Sequence, residues 1–410
     1  MTQQDSLRAR RAERLPGIER PDARVQASGA AFALWNLGFR PFYLLASAFA
    51  AVSILLWVAQ YAGYLPLTYV ADPLWHAHEM LFGYAIAVIS GFLFTAGRNW
   101  TGQPTPTGAL LAGYALLWLA GRVAVLLPYP WIAAILNAAF PVAVAAGLAV
   151  PLARSGNRRN YFFVALLVLL GGVAFTIHLA RLGIVTLPAR AGIGIGLDIV
   201  LFVIAVMGGR VIPMFTNNGV PGTRATRHPL VEKAALGGVL ALIVVDVLQP
   251  APALVVAVAG IAAIAHAIRL ALWQPWRTTS APLVWILHAA YAWVVVYLAL
   301  RAIDAAGHVA TPLATHALTI GAIGGMTIGM MTRTARGHSG RPLVADRYET
   351  ACFALVQAAA LVRVFGGIAL PEFYRATVVL SGLCWSTGFA IYAIRYWPIL
   401  TRPRLDGKPG

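Results

Sequence analysis

The chain has 410 residues, of which 60% are hydrophobic and only 11% are charged. Soluble proteins carry about 25% charged residues, so this chain has too few to cover a soluble surface of its size. The net charge of +17 does not indicate nucleic-acid binding, because the basic residues cluster between apolar segments. This distribution is typical of a polytopic membrane protein, whose partner is the lipid bilayer.

The first 30 residues are polar and rich in arginine. They lack the apolar stretch and the small-residue cleavage site of a secretory signal peptide, so we expect nothing to be removed. Residues 1–34 are predicted to form a disordered basic cytoplasmic tail. Residues 35–400 are predicted to form the transmembrane domain, and residues 401–410 a short cytoplasmic tail.

Twelve apolar runs follow the tail, and each is long enough to cross the bilayer as a helix of about 20 residues. Open sheets cannot span lipid and the runs are too long for barrel strands, so the sequence predicts an all-α bundle of about twelve transmembrane helices. The predicted helices lie at roughly 41–62, 75–97, 107–126, 130–153, 160–181, 190–216, 229–248, 252–273, 281–303, 312–333, 346–366 and 373–396.

The basic residues predict the orientation of these helices. If the N-terminus is cytoplasmic, the tails and the loops on that side hold 22 of the 31 Lys and Arg residues. The opposite loops hold four, which are Arg181, Arg190, Arg301 and Arg375. The positive-inside rule therefore puts both termini in the cytoplasm, and the opposite side is the periplasm if the source is a Gram-negative bacterium.

Most of the nine histidines fall inside the apolar runs. A neutral imidazole is costly in hydrocarbon unless something satisfies it, and it is the commonest metal ligand. With the predicted orientation, four histidines lie near the outer ends of their helices and form an outer layer. They are His76, His78, His178 and His316.

A second group of polar residues lies near the inner side. His266 and His288 are each about two turns from the inner ends of neighbouring helices, and Arg269 is one turn from His266. His338 follows the tenth helix at the inner side. We predict a second metal or cofactor site here, although a structural histidine bonded to a backbone carbonyl is the alternative.

The spacing of His76 and His78 limits what they can bind together. Residues two apart on a helix point about 200° apart, so this pair is expected to serve two neighbouring sites, or one as ligand and one as orienting partner. Glu79 lies one turn from His76 and is predicted to orient it or to carry protons. Asp198 is a second intramembrane acid that would carry protons, or else pair with an arginine.

Several other residues can be interpreted as either functional or structural. Arg210 and Arg269 would bind an anion such as a haem propionate, or extend to the membrane surface. A face of the tenth helix combines glycines with methionines, and close helix packing explains it better than thioether ligation of a metal. Cys352 and Cys384 have no metal-site spacing and are read as small buried hydrophobes.

Five blocks of the chain together resemble the NnrS family of bacterial haem–copper membrane proteins linked to nitric oxide. The resemblance covers about residues 35–400, with the blocks in family order and spacing. One position departs, since Phe175 stands where the family often has asparagine. The blocks are Gly38–Phe42, Trp75–Met80, Gly208–Pro213 with Phe215–Asn217, Leu287–His288 with Tyr291–Trp293, and His316–Thr319 continuing to His338.

The resemblance implies a protein of the bacterial inner membrane with twelve helices, haem, copper and a role in relieving nitric oxide stress. We expect b-type haem and copper held by imidazoles, and reduction of nitric oxide to N₂O with electrons from a membrane donor such as quinol. Two alternatives stay open. One is a non-enzymatic protein that binds nitric oxide or metal to protect or sense iron centres, and the other is a proton-coupled transporter with histidines as relay residues.

Overall fold

The structure is a computed structural model that describes residues 32–65 and 72–408. The predicted N-terminal tail therefore lies outside the described residues except for positions 32–34. The chain is 81% helical, and no strand occurs within the described ranges. The all-α prediction is confirmed.

Each of the twelve predicted segments coincides with a helix, and the ends agree to within a few residues. Three helices, α2, α10 and α11, contain an internal π-helical turn. The twelve are α1 (Phe39–Tyr61), α2 (Pro73–Thr101), α3 (Gly108–Ala124), α4 (Pro130–Ser155), α5 (Tyr161–Arg181), α6 (Ala189–Gly219), α7 (Pro229–Leu248), α8 (Pro252–Leu272), α9 (Pro282–Ala305), α10 (Thr311–His338), α11 (Arg347–Ala369) and α12 (Tyr374–Thr401).

Ten of these helices in the described ranges are long and apolar enough to cross a membrane. The protein is therefore a multi-pass membrane protein. The two others differ in length or charge: α3 has 17 residues, and α7 carries Glu232, Lys233 and Asp246 within its 20 residues. The sequence prediction of twelve spans needs both of them to cross.

Consecutive helices pack side by side, and the last helix returns to the first. α12 packs along α1, and the backbone amide of Ala33 donates to the carbonyl of Thr401 at 2.8 Å. The beginning of α1 and the end of α12 thus lie at the same end of the bundle. Helices α2, α6, α9 and α10 are the most buried of the membrane-length helices and form its centre.

Glycines let α10 approach its neighbours closely. A Cβ added to Gly325 would lie 2.9 Å from that of Ala290 in α9, and one added to Gly329 would lie 2.9 Å from the Ile286 side chain. At Gly321 a Cβ would overlap the indole of Trp293. The prediction that the small-residue face of α10 serves helix packing is confirmed.

Candidate functional site

The four histidines predicted to form an outer layer lie together in two pairs, which we call the outer histidine cluster. The rings of His76 and His316 are nearly parallel, 9° apart, with centroids separated by 6.1 Å. The rings of His78 and His178 are nearly perpendicular, with centroids separated by 4.9 Å. His76 and His78 thus face different partners, as their spacing in the helix predicts.

The two pairs differ in exposure. His78 and His178 are each only 1% exposed, whereas His76 and His316 are partly exposed near the end of the bundle. The indole of Trp57 in α1 covers His76, with a centroid separation of 4.5 Å. The cluster therefore offers one buried imidazole pair and one that is accessible.

A buried ion pair fixes the tautomer of His78. Glu79 accepts from the Arg122 guanidinium at 2.7 and 2.8 Å, which keeps the carboxylate ionised and able only to accept hydrogen bonds. The 2.8 Å contact from His78 Nδ1 to Glu79 Oε1 must then be an N–H donation. Nε2 of His78 is left as a lone-pair donor, buried and without a hydrogen-bond partner among the described residues.

His316 is oriented in the same way by a backbone group. Its Nδ1 lies 2.5 Å from the carbonyl oxygen of Pro312, one turn earlier in α10. A carbonyl can only accept, so Nδ1 carries the proton and Nε2 keeps its lone pair. Metal-binding histidines usually donate their other ring N–H to a carboxylate or carbonyl in this manner.

All three π-helical segments in the described part of the chain occur at this cluster. One begins at Glu79, directly after His78, and another at Ala317, directly after His316. The third, Val362–Gly366, contains Arg363. A π-helical turn inserts an extra residue and rotates the next part of the helix, and such turns are frequent at functional sites.

Arg363 adds a positive charge to the accessible pair. It lies near enough to both His76 and His316 to act on them electrostatically. Its Nη2 donates to the Tyr374 hydroxyl at 2.6 Å, while the buried Nη1 has no hydrogen-bond partner within the described ranges. The arrangement suits an anionic group beside the two rings.

The arrangement fits ligation by histidine pairs rather than by a larger cluster. No group of three His, Cys, Asp or Glu residues in residues 32–65 and 72–408 is placed to hold one metal ion. Haem iron can be held by one or two axial imidazoles, and copper accepts imidazole readily. The outward lone pairs on His78 and His316 meet the chemical requirement for such ligands.

The two acidic candidates lie in different surroundings. Glu79 contacts His78 rather than His76, with 2.8 Å between its Oε1 and Nδ1 of the His78 ring. The prediction that it orients His76 was wrong in the partner. The buried carboxyl of Asp198 lies against Asp246 and Arg301. Proton transfer by either acid stays a prediction.

Two of the inner residues, His266 and Arg269, are engaged by other groups of the protein. His266 bonds through both ring nitrogens, to the Tyr291 hydroxyl at 2.7 Å and the Ala235 carbonyl at 3.1 Å. Arg269 is paired with Glu232 through two hydrogen bonds, at 2.8 and 2.5 Å. The Arg269 guanidinium, which was predicted to bind a cofactor anion, thus already pairs with a carboxylate of the protein.

The remaining candidates lie apart from the outer histidine cluster. Arg210 donates to Asn160 at 2.8 Å near the opposite end of the bundle. His338 ends α10, and its ring lies 5.7 Å from that of Phe39. His288 bonds to Thr216. Their roles as cofactor or metal ligands stay predictions.

Sequence reasoning missed Arg122, Arg363, Asn137 and Trp57. The first two are arginines inside apolar runs, the same signal that singled out Arg210 and Arg269. Asn137 accepts from Arg122 and donates to the Ala133 carbonyl at 2.8 Å, so it holds the guanidinium in place. Trp57 carries no such signal, because an indole in an apolar helix is ordinary packing.

Comparison with known proteins gives one family. The profile described as NnrS protein matches residues 33–404, which is nearly the whole chain. No curated protein matches the chain.

Proposed function

Because the chain belongs to the NnrS family, we propose that it is a haem- and copper-containing protein of the bacterial inner membrane that handles nitric oxide. It would cross the membrane twelve times, with both termini in the cytoplasm. The observation that carries the proposal is the outer histidine cluster. Two imidazole pairs lie side by side, and in each pair one ring is held with Nε2 directed away from its orienting partner.

The two pairs suit different cofactors. His76 and His316 fit the haem, because Arg363 beside them has an N–H available for a haem carboxylate. His78 and His178 fit copper, because this pair is fully buried and Glu79 orients His78 as carboxylates orient metal-bound histidines. When bound, haem and copper would supply binding of nitric oxide and transfer of electrons.

The reaction that we propose is reduction of two nitric oxide molecules to N₂O and water. It consumes two electrons and two protons, and a membrane quinol supplies both in the required number. The protein's own part is to hold the cofactors in a dry bundle and to bring protons to them. Glu79, beside the buried pair, and Asp198 are the acids proposed for that transfer.

Turnover of nitric oxide tests this function. Purified protein with its cofactors is supplied anaerobically with nitric oxide and a reduced quinol, and N₂O is measured by gas chromatography. We expect one N₂O for every two nitric oxide molecules consumed, and loss of this activity in the His78→Ala variant. Binding of nitric oxide without formation of N₂O would contradict reduction and support a protective or sensing role.

A further inference from the structure

His288, about two turns into α9, has one ring nitrogen that the protein does not use. The Thr216 hydroxyl gives its hydrogen to the Ile212 carbonyl at 2.8 Å. Its oxygen therefore accepts the 2.8 Å hydrogen bond from His288 Nε2–H. Nδ1 is then a lone-pair acceptor, and it has no hydrogen-bond partner among the described residues although His288 is only 3% exposed.

A groove of about 520 Å³ lies against this ring. It runs between α9 and the segment that follows α8, and its walls include the indoles of Trp276 and Trp285 and the small side chains Ala289 and Ala292. Its volume falls within the range of sites for small molecules, which are mostly apolar with a few placed polar groups. Tryptophan side chains are concentrated at the membrane–water interface of membrane proteins.

The groove requires a particular kind of occupant. A buried acceptor calls for a hydroxyl or N–H donor, since an unsatisfied polar group costs about 1–3 kcal/mol. The aromatic walls favour a flat ring. Metal ligation is not supported, because among the described residues that line the groove His288 is the only His, Cys, Asp or Glu. A lipid-soluble molecule with a hydroxylated aromatic ring meets all three conditions.

We propose that this groove binds the ring of a membrane quinol, with His288 Nδ1 accepting a hydrogen bond from one of its hydroxyls. The proposal assigns His288 to the electron donor rather than to a second metal. It rests on the proposed function for its oxidant, because nitric oxide would be the terminal acceptor of the quinol's electrons.

The electrons and protons that the quinol releases match those that reduction of nitric oxide consumes. Oxidation of the quinol breaks two O–H bonds and releases two electrons and two protons as the ring becomes a quinone. His288 Nδ1 takes one proton and becomes an imidazolium whose Nε2–H still donates to Thr216. The second proton passes to water at the open end of the groove. Two nitric oxide molecules with two electrons and two protons give N₂O and water.

Binding of decylubiquinol to the cofactor-loaded protein in nanodiscs tests the site directly. We expect His288→Ala to weaken binding at least tenfold, because it removes the acceptor. Ala292→Phe should do the same by filling the groove while leaving the histidine intact. Ile303→Phe, at an exposed position of the same helix, is the matched control and should bind as the unmodified protein does.

Two further variants test the tautomer. Thr216→Val removes the acceptor for Nε2–H and lets the proton move to Nδ1, so decylubiquinol should bind more weakly. Thr216→Ser keeps a hydroxyl and should restore binding. Unchanged affinity in both Ala292→Phe and Thr216→Val would overturn the proposal, whether or not His288→Ala folds.

A second electron donor separates this proposal from the proposed function. With ascorbate and a one-electron dye as donor, nitric oxide consumption by Ala292→Phe should equal that of the unmodified protein, whereas consumption driven by decylubiquinol should be lost. If the unmodified protein consumes no nitric oxide with either donor, the proposed function fails. The binding measurements would still decide whether the groove takes a quinol.

Discussion

In His78 and His316, one ring nitrogen donates a hydrogen bond to a group that can only accept. The other ring nitrogen therefore keeps the lone pair that could bind a metal. At His78 the acceptor is a carboxylate, and at His316 it is a backbone carbonyl. Both arrangements leave Nε2 with a lone pair that can bind a metal. The chemistry of the outer histidine cluster thus depends on Glu79 and on the Pro312 carbonyl, which orient the rings.

The first prediction concerns these two histidines. His316→Ala should lower bound haem and His78→Ala should lower bound copper, each by at least half, because each change removes one of two ligands. Haem is measured by its pyridine haemochrome spectrum and copper by mass spectrometry. His308→Ala is the control, since His308 is exposed in the loop after α9. Full haem and copper in both variants would refute the assignment of the cluster.

The second prediction concerns the buried ion pair of Glu79 and Arg122, which are 2% and 7% exposed. Removing one partner of such a pair leaves an uncompensated charge and costs about 3–5 kcal/mol. Glu79→Gln and Arg122→Met should therefore each lower the melting temperature of the purified protein. The double variant should melt above both single variants, since it leaves no unpaired charge. A double variant that melts below both would show that the charges are not coupled.

The sequence revealed the histidines and their common depth, because depth follows from helix length and orientation. It did not reveal Arg122 as the partner of Glu79, since the two lie 43 positions apart on different helices. The same limit applied to His266. Its depth predicted a shared site with His288, but Tyr291 and the Ala235 carbonyl satisfy it from neighbouring helices.

Whole helices were predictable, but their internal irregularities were not. The apolar runs end at charged residues, Pro and Gly, so the ends of all twelve helices were predicted to within a few residues. The π-helical turns have no sequence signature of comparable strength. They nevertheless rotate the part of the helix that follows them, and two of them begin directly after His78 and His316.

The third prediction tests the close packing of α10 on α9. Gly325→Leu should lower the melting temperature, because the new side chain meets the Cβ of Ala290 and overpacking costs about 1–3 kcal/mol. Gly260→Leu on α8 is the control, since a Cβ there meets nothing within 4 Å. Equal melting of the two variants would contradict a packing role for the glycine face.

The first and the last helix of the bundle meet at one of its ends. Arg40 near the start of α1 donates to the carbonyls of Leu400 and Arg402 at 3.0 and 2.8 Å. Neighbouring ends on one side of the bundle are what an even number of crossings produces. Under the positive-inside rule, the surplus of basic residues on that side predicts that it is the cytoplasmic side.

The fourth prediction concerns this topology. A fluorescent protein that folds in the cytoplasm but not after export should fluoresce when it is fused after residue 410, and also when it is fused before residue 1. A fusion in the loop between α9 and α10, beside His308, should behave in the opposite way. An exported C-terminus would contradict the twelve-span arrangement and the placement of the outer histidine cluster near the outer surface.

The most direct test of the account is the absorption spectrum of the reduced purified protein, recorded before and after addition of nitric oxide. We expect a Soret band that shifts when nitric oxide binds. The band should be changed or missing in His316→Ala and unchanged in His308→Ala. A protein that is prepared from cells with ample haem and shows no Soret band would contradict it. So would a Soret band that does not respond to nitric oxide.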